Sequence, residues 1–372
     1  GFSLVYLSKL LMFLVLLLSL TMKINGKCYV FGREEFIHDR ENVYYFRFDS
    51  ERALLQKFFE MWDKESPDIV TGWNIETFDI PYLVNRAKRL FDEKKNPYRL
   101  LSPWRRIHSY TLFGLGGKEL QAYNIIGVET LDYLSMYRKF TYTNQESYRL
   151  DHIAFIELGE GKLDYSEQGT LHLLYKNDFQ KFIEYNIKDV ELVDRLEDKM
   201  KLIDLIITMA YSAKCNYVDV FSQVRMWDVI MYNYLRDKNI QIPQIIRKSK
   251  EDAFAGAYVK DPQIGLHKWV VSFDLNSLYP HLIMNYNISP ETIKGMHKTV
   301  PGVDEMLSQT FDTSFLKENQ ETITPNGAIF DCTKYGFLPE LLLQMYNERK
   351  ETKKLMLKAE QEYEDTKHPK LL

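Results

Sequence analysis

The sequence is poor in the features that would commit it to several common classes. It has three cysteines in 372 residues, Cys28, Cys215 and Cys332, far apart and never in a Cys-x-x-Cys pair. This argues against a disulfide framework or a structural zinc, and it fits a reducing compartment such as the cytoplasm. An excess of positive charge is also lacking, with 48 Lys and Arg against 52 Asp and Glu, a net charge of −4. Any binding of nucleic acid therefore needs a locally basic groove and not a basic total. There is no internal repeat, and no low-complexity tract apart from one leucine run. The glycine cluster Gly114-Leu115-Gly116-Gly117 has no Gly-Lys-Ser/Thr after it and reads as a hairpin turn, not a phosphate loop. What remains is a chain with 45% apolar and 27% charged residues, ordinary for a soluble protein of two or three domains.

One segment is out of character. Phe2 to Leu20 is almost wholly apolar, with Lys9 its only charge. Its length suits a marginal transmembrane helix or a signal-peptide core, but a basic leading region and an Ala-x-Ala-like cleavage site are missing. The other readings are a buried strand-helix piece or the product of a frame slip. Gly1 is not a natural start, so the chain reads as cut from something longer.

From Lys27 onward the pattern is globular. Lys27 to Gly32 and Val43 to Phe48 are rich in Val, Tyr and Phe and predict strands. Glu51 to Lys64 places Leu54, Leu55, Phe58, Phe59 and Trp62 on one helical face. A short strand at Ile69 to Thr71, a helix from Ile80 to Phe91 and one strand of a hairpin within Glu119 to Leu131 follow. Asp178 to Leu205 predicts one long helix and Phe221 to Leu235 another. The polar stretch Arg247 to Asp252 is the candidate domain joint. Strands are expected at Ala257 to Val259 and Lys268 to Leu275, a turn at Pro325-Asn326-Gly327, and a charged helix from Leu338 onward.

Three constellations carry carboxylates. Asp79 ends Asn74-Ile75-Glu76-Thr77-Phe78-Asp79 at the start of a helix, where an N-cap is one reading and a metal ligand another. Tyr185 and Asp189 are four apart, so they share a helix face. A phenol beside a carboxylate suits phosphodiester hydrolysis, the carboxylate holding metal and the phenol bonding the water or phosphate. Asp274 ends an apolar run before Leu275-Asn276-Ser277-Leu278-Tyr279-Pro280. A carboxylate at a strand tip can hold a hard cation, and N–H groups at the following helix start can receive phosphate oxygens.

These motifs, in this order, resemble those of family B DNA polymerases, and Asn287-Ile288-Ser289-Pro290-Glu291-Thr292-Ile293 resembles the continuation in polymerases of T-even-like tailed bacteriophages. The resemblance covers about Lys27 to the end. It implies an α/β multidomain protein: an RNase H-like exonuclease domain, the first part of a ferredoxin-like palm, and the start of a helical fingers segment. The implied divisions are an anomalous apolar segment at 1–24, the exonuclease domain at 25–201, a connecting segment at 202–251, the palm at 252–339 and the fingers helix at 340–372. The implied activity is template-directed DNA synthesis from deoxynucleoside triphosphates with 3′→5′ proofreading, using two magnesium ions per active site and primer-template DNA. A sliding clamp is an implied partner, no membrane is expected, and the location is cytoplasmic, in the host if the source is a bacteriophage.

By the same resemblance Asp79, Tyr185 and Asp189 belong to the exonuclease, with Asp79 and Asp189 as metal ligands. Asp274 would bridge the polymerase metals and the Leu275 carbonyl complete one of them. Asn276 and the N–H groups of Ser277, Leu278 and Tyr279 would line the triphosphate site, with the Tyr279 ring under the sugar. Phe254-Ala255-Gly256-Ala257-Tyr258 resembles an element that contacts the template backbone, through Gly256 and Ala257. Ser147 to Asp151 and Leu158 to Asp164 also resemble the family, and no chemistry is assigned to them. The family's first exonuclease motif, Asp-x-Glu on a strand, has no counterpart on a predicted strand before Asp68. An Asp-Thr-Asp-like motif and Lys-x-x-x-Asn-Ser-x-Tyr-Gly are also absent. The chain is therefore expected to be inactive by itself.

Overall fold

A computed structural model describes residues 4–7, 11–13, 16–92, 96–113, 117, 119–164, 167, 169–242, 244, 259–299 and 302–367. The chain divides into two compact units, residues 1–249 and 250–372. The polar stretch Arg247 to Asp252 lies outside the described residues, as do Gly256 and Ala257.

The first unit opens with β1 (Leu4–Leu7), β2 (Leu11–Phe13), β3 (Leu16–Ile24), β4 (Lys27–Gly32) and β5 (Val43–Arg47). Next come α1 (Glu51–Glu65), β6 (Ile69–Gly72), a π-helical turn over Ile75–Asp79 and α2 (Ile80–Leu90). A 3₁₀ turn over Pro97–Leu101 leads to β7 (Ile107–Phe113), β8 (Glu119–Ile125) and β9 (Glu129–Asp132). Five helices complete the unit: α3 (Tyr133–Phe140), α4 (Leu150–Leu158), α5 (Leu171–Asn177), α6 (Phe179–Met200) and α7 (Leu202–Ala213), with α8 (Gln223–Asp237) after them as a sixth. A seven-stranded sheet runs β5-β4-β3-β1-β6-β9, with β2 paired to β3. β1 lies between β3, antiparallel, and β6, parallel. β7 and β8 form a separate antiparallel hairpin, in register from Ile107 opposite Ile125 to Phe113 opposite Glu119.

The described part of the apolar run is extended, and β3 explains its composition. Leu20, Met22 and Ile24 join the cluster under α1 and α2. On the opposite face Ser19 accepts a hydrogen bond from Asn186 at 2.9 Å and Lys23 pairs with Asp194, both on α6. A strand covered on both faces reads as a near-continuous hydrophobic run. Each fully buried Leu or Met side chain contributes about 1.5–3 kcal/mol, enough to hold the segment in the sheet. Among the described residues no helix is long and apolar enough to cross a membrane.

α1 starts where Ser50 accepts the Ala53 N–H at 3.2 Å, and it buries the predicted stripe from Leu54 to Trp62. Glu51 is buried in that stripe. Its carboxylate accepts both Arg86 Nε and Nη2 at 2.6 Å and the Leu17 N–H at 2.9 Å, which fastens α1, α2 and β3 at one point. The expected single helix from Asp178 to Leu205 is two helices. Lys201 is left-handed (φ 53°), and Glu197 turns over the break to accept the Ile203 N–H at 3.2 Å.

The second unit holds α9 (Leu278–Tyr286), β10 (Ile293–Met296), α10 (Val303–Leu307), α11 (Ser314–Asn319), β11 (Glu321–Ile323), β12 (Ala328–Asp331) and α12 (Phe337–Thr366). The antiparallel sheet order is β10-β12-β11. The predicted turn joins β11 to β12, with Gly327 at φ 86° donating its N–H to Thr324 O at 2.8 Å. The strand expected at Lys268 to Leu275 does not form. Among the described residues no strand pairs with it, and a strand-prone sequence without a ladder partner has no reason to stay regular. Trp269 and Phe273 are consequently more than nine-tenths exposed. Of the second expected strand only Val259 is described, and it is irregular.

Candidate functional site

The first site grows from the end of β6. Asn74 adopts a left-handed conformation (φ 66°), the π-helical turn follows, and α2 begins at Ile80 with Pro81 in its first turn. Asp79 is wholly buried, has helical backbone angles (φ −67°, ψ −50°) and makes no side-chain capping bond. The N-cap reading of Asp79 therefore fails, because a cap residue needs extended backbone to turn its oxygen back onto the helix. π-helical insertions often mark functional positions.

A polar network supports this turn. Glu76 N–H donates to Asp132 Oδ2 at 3.0 Å, Thr77 Oγ1 to Asn74 Oδ1 at 2.6 Å, and Tyr110 OH to Glu76 Oε1 at 2.6 Å. Burial pushes the Asp132 carboxyl up to about 6, against the N–H groups of Glu76 and Ser135, which favour its charged form. Tyr110 lies on β7, so its hydroxyl ties the hairpin to the turn that presents Asp79; burial and the Glu76 carboxylate both raise its pKa.

The second site lies on α6. Tyr185 and Asp189 are buried on the same face. Sequence reasoning assigns nothing to Lys162, yet its ammonium lies 2.6 Å from Asp189 Oδ2, 3.2 Å from the Tyr185 hydroxyl and 5.1 Å from the Tyr185 ring centre. The loop that delivers it is fastened on both sides. Asp151 Oδ1 accepts the Lys162 N–H at 2.6 Å, and Glu160 is gripped by Arg195 and by Lys188 at 3.1 Å. Arg195 and then Lys188 hold the Glu160 carboxyl down to about 2. The signal available in the sequence was the run Gly159-Glu160-Gly161-Lys162, a tight loop carrying a cation.

The third site is in the second unit. Asp274 lies in exposed irregular chain, Leu275 is exposed, and Ser277 Oγ donates to Asn276 Oδ1 at 3.3 Å. Ser277 is left-handed (φ 53°) and starts α9. The N–H groups of Leu278 and Tyr279 occupy the first two helical positions, which have no intrahelical acceptor. Pro280 has no N–H, and His281 is the first to bond back, to Ser277 O at 3.1 Å. The helix start therefore presents two N–H groups without an intrahelical acceptor. The His281 ring meets Tyr346 of α12 edge-on at 4.9 Å.

The stretch after α9 has a structural task. Asn287 Nδ2 donates to Asp331 O at 2.6 Å and Lys334 O at 2.9 Å, and its Oδ1 accepts the Gly336 N–H at 2.8 Å. Glu291 accepts the Phe337 N–H at 2.6 Å, at the start of α12. Burial alone would raise the Glu291 carboxyl, but the Ser289 hydroxyl and the Phe337 N–H bring it below its ordinary value.

Metal ligation is the remaining question. Among the described residues no group of three or more His, Cys, Asp or Glu side chains is placed to hold an ion. Three Asp-x-Glu pairs precede Asp68, namely Asp39/Glu41, Asp49/Glu51 and Asp63/Glu65, and all lie on loops or α1 instead of a strand. The central strand β1 reads Leu4-Val5-Tyr6-Leu7, without a carboxylate. The donor set among the described residues does not fit a two-metal centre, which needs several converging carboxylates.

Comparison with known proteins gives the family. Residues 23–153 match the family model for DNA polymerase family B, exonuclease domain, and residues 215–368 match DNA polymerase family B. The chain is 38% identical to the DNA-directed DNA polymerase of Escherichia phage RB69 over 326 residues, 86% of this chain and 34% of that protein. It is 37% identical to the DNA-directed DNA polymerase of Enterobacteria phage T4 over 328 residues, 88% of this chain and 35% of that protein. Likeness extends to the DNA polymerase delta catalytic subunit of Candida albicans, 26% identical over 338 residues, 87% of this chain and 30% of that protein. The chain belongs to DNA polymerase family B, with an exonuclease domain in its first unit. It spans about a third of the length of these relatives.

Proposed function

We propose that the chain is the proofreading and first palm portion of a DNA-directed DNA polymerase that acts on primer-template DNA with deoxynucleoside triphosphates. The supporting observation is the similarity to phage polymerases over 86–88% of this chain, which takes in both units. In this reading residues 25–201 are an RNase H-like exonuclease domain, 202–251 a connecting segment, 252–339 the first part of a ferredoxin-like palm and 340–372 the start of the fingers helix. Mixed α/β structure in both units supports that division.

Site roles follow residue by residue. Asp79, Tyr185 and Asp189 would belong to the exonuclease; Asp274 and the Leu275 carbonyl would hold metal in the whole polymerase; Asn276, Ser277, Leu278 and Tyr279 would receive the triphosphate; Gly256 and Ala257 would approach the template backbone. Domains of this family are divalent-metal dependent, and the ion is magnesium. Because the carboxylates present are an incomplete set, the 372 residues bind DNA but neither shorten nor extend a primer by themselves. The working location is the cytoplasm, that of the host if the source is a bacteriophage, and a sliding clamp would be a partner of the whole enzyme. Fluorescence anisotropy with a labelled primer-template tests the DNA-handling reading. Binding that weakens steeply with salt is expected, and no binding at low ionic strength overturns the reading.

A further inference from the structure

Although the chain is acidic overall, one stretch of the first unit is locally basic. From Pro97 to His108 the sequence carries Arg99, Arg105, Arg106 and His108 and no acidic residue. Tyr98, Arg99, Arg105, Arg106, Ile107 and His108 line an open recess of about 310 Å³. Trp104, which precedes Arg105 in the chain, is 66% exposed.

The turn that carries these side chains is built, not loose. Ser102 is buried, and its hydroxyl donates to Ile126 O at 2.6 Å while accepting the N–H groups of Trp104 and Arg106 at 3.2 Å. Arg105 is left-handed (φ 60°) and donates its N–H to Ser102 O at 2.9 Å. Trp62 Nε1 donates to Leu101 O at 2.9 Å, which anchors the turn to the core. Arg105 is partly neutralised by Asp63, with Nη2 2.8 Å from Oδ2. Arg99 and Arg106 form no ion pair among the described residues. Two unneutralised guanidinium groups, an open recess and an exposed indole on one fixed turn are the parts of a single-strand binding platform. The cations track phosphates and the flat ring receives a base.

We propose that this recess binds single-stranded DNA, with Arg99 and Arg106 on successive phosphates and Trp104 stacked on an unpaired base. Double-stranded DNA is a poor occupant, because its bases are stacked inside and leave the indole nothing to receive. The choice of DNA as ligand rests on the polymerase reading, and the recess lies apart in sequence from Asp79, Tyr185 and Asp189.

The test measures anisotropy of labelled oligo(dT) and of a blunt duplex with the whole chain and with Arg99→Gln/Arg106→Gln, Trp104→Ala and Asp63→Asn. All four positions are at the surface turn or its partner, and thermal melting checks that each variant stays folded. The double Gln variant is expected to reduce the salt slope of oligo(dT) binding by about 1.4, about 0.7 for each lost phosphate contact. Trp104→Ala is expected to weaken oligo(dT) about fivefold or more, the lower end of a lost base stack. Asp63→Asn, which releases Arg105, should tighten it. Duplex affinity should not change in the first two. Unchanged oligo(dT) affinity and slope in the double Gln variant would overturn the inference while leaving the polymerase reading intact. Displacement of oligo(dT) by millimolar inorganic phosphate at constant ionic strength would also overturn it, by showing a small-anion site. Failure of the unaltered chain to bind either DNA would overturn both.

Discussion

The Lys162 ammonium lies 2.6 Å from the Asp189 carboxylate, and Asp189 is 2% exposed. A cation from a pinned loop thus faces the one acidic side chain of α6 that shares a face with Tyr185. The pair neutralises Asp189 in a place where an isolated carboxylate would be costly. Any second cation brought to Asp189 would meet this ammonium as a neighbour of like charge.

Lys162→Met is expected to destabilise the first unit by about 3 kcal/mol, the usual cost of leaving one partner of a buried pair behind. The double variant Lys162→Met/Asp189→Leu should recover most of that loss. Urea denaturation of the two single variants and the double variant checks it. A single-variant loss below about 1 kcal/mol would show that the pair is solvated.

Asp132 gives a pH dependence with a definite sign. Its carboxyl is raised from 3.8 to about 6 in the folded chain, so the folded state holds its proton more tightly than the unfolded state. Its contribution is therefore most favourable below pH ~4, falls by roughly 3 kcal/mol as pH rises to ~6, and is flat above that. Asp132→Asn cannot titrate. The stability of the unaltered chain minus that of Asp132→Asn, measured by urea denaturation at several pH values, should decline between pH 4 and 6. A flat difference would contradict the buried carboxyl.

Asn287 is the tie between the end of α9 and the start of α12. Its amide makes three hydrogen bonds from a left-handed backbone (φ 54°). Asn287→Ala loses all three and also strains the backbone, so a loss of about 3–4 kcal/mol is expected at about 1 kcal/mol per bond plus the strain. Asn287→Gly loses the bonds alone and should be about 1 kcal/mol less harmful. Calorimetry on both variants decides; equal losses would remove the backbone part of the argument.

Much of the fold was legible because local signals agreed with burial. The apolar stripe of α1, the strands β4 and β5, the Gly327 turn and the hairpin strand β8 all follow from period, cap or turn chemistry. Other features depend on distant partners. Lys201 breaks the long helix without Gly or Pro, because Glu197 reaches across to Ile203. Lys268 to Leu275 has strand composition but no ladder to join among the described residues. The leucine run suits a membrane helix by composition alone; only the two covered faces of β3 reveal why a strand would be so apolar. At the candidate sites the sequence put Tyr185 and Asp189 on one helix face, where both are buried. It did not reveal Lys162, whose place beside Asp189 depends on the Asp151 and Glu160 anchors.

The central claim is that the carboxylates proposed for catalysis within these 372 residues are an incomplete set on a DNA polymerase framework. It is tested most directly by mixing the purified chain with labelled primer-template DNA, deoxynucleoside triphosphates and magnesium, and following primer length over time. The account predicts that the primer stays the same length, as it does with Asp189→Ala and Asp274→Ala. Magnesium-dependent shortening abolished by Asp189→Ala, or lengthening abolished by Asp274→Ala, would contradict it.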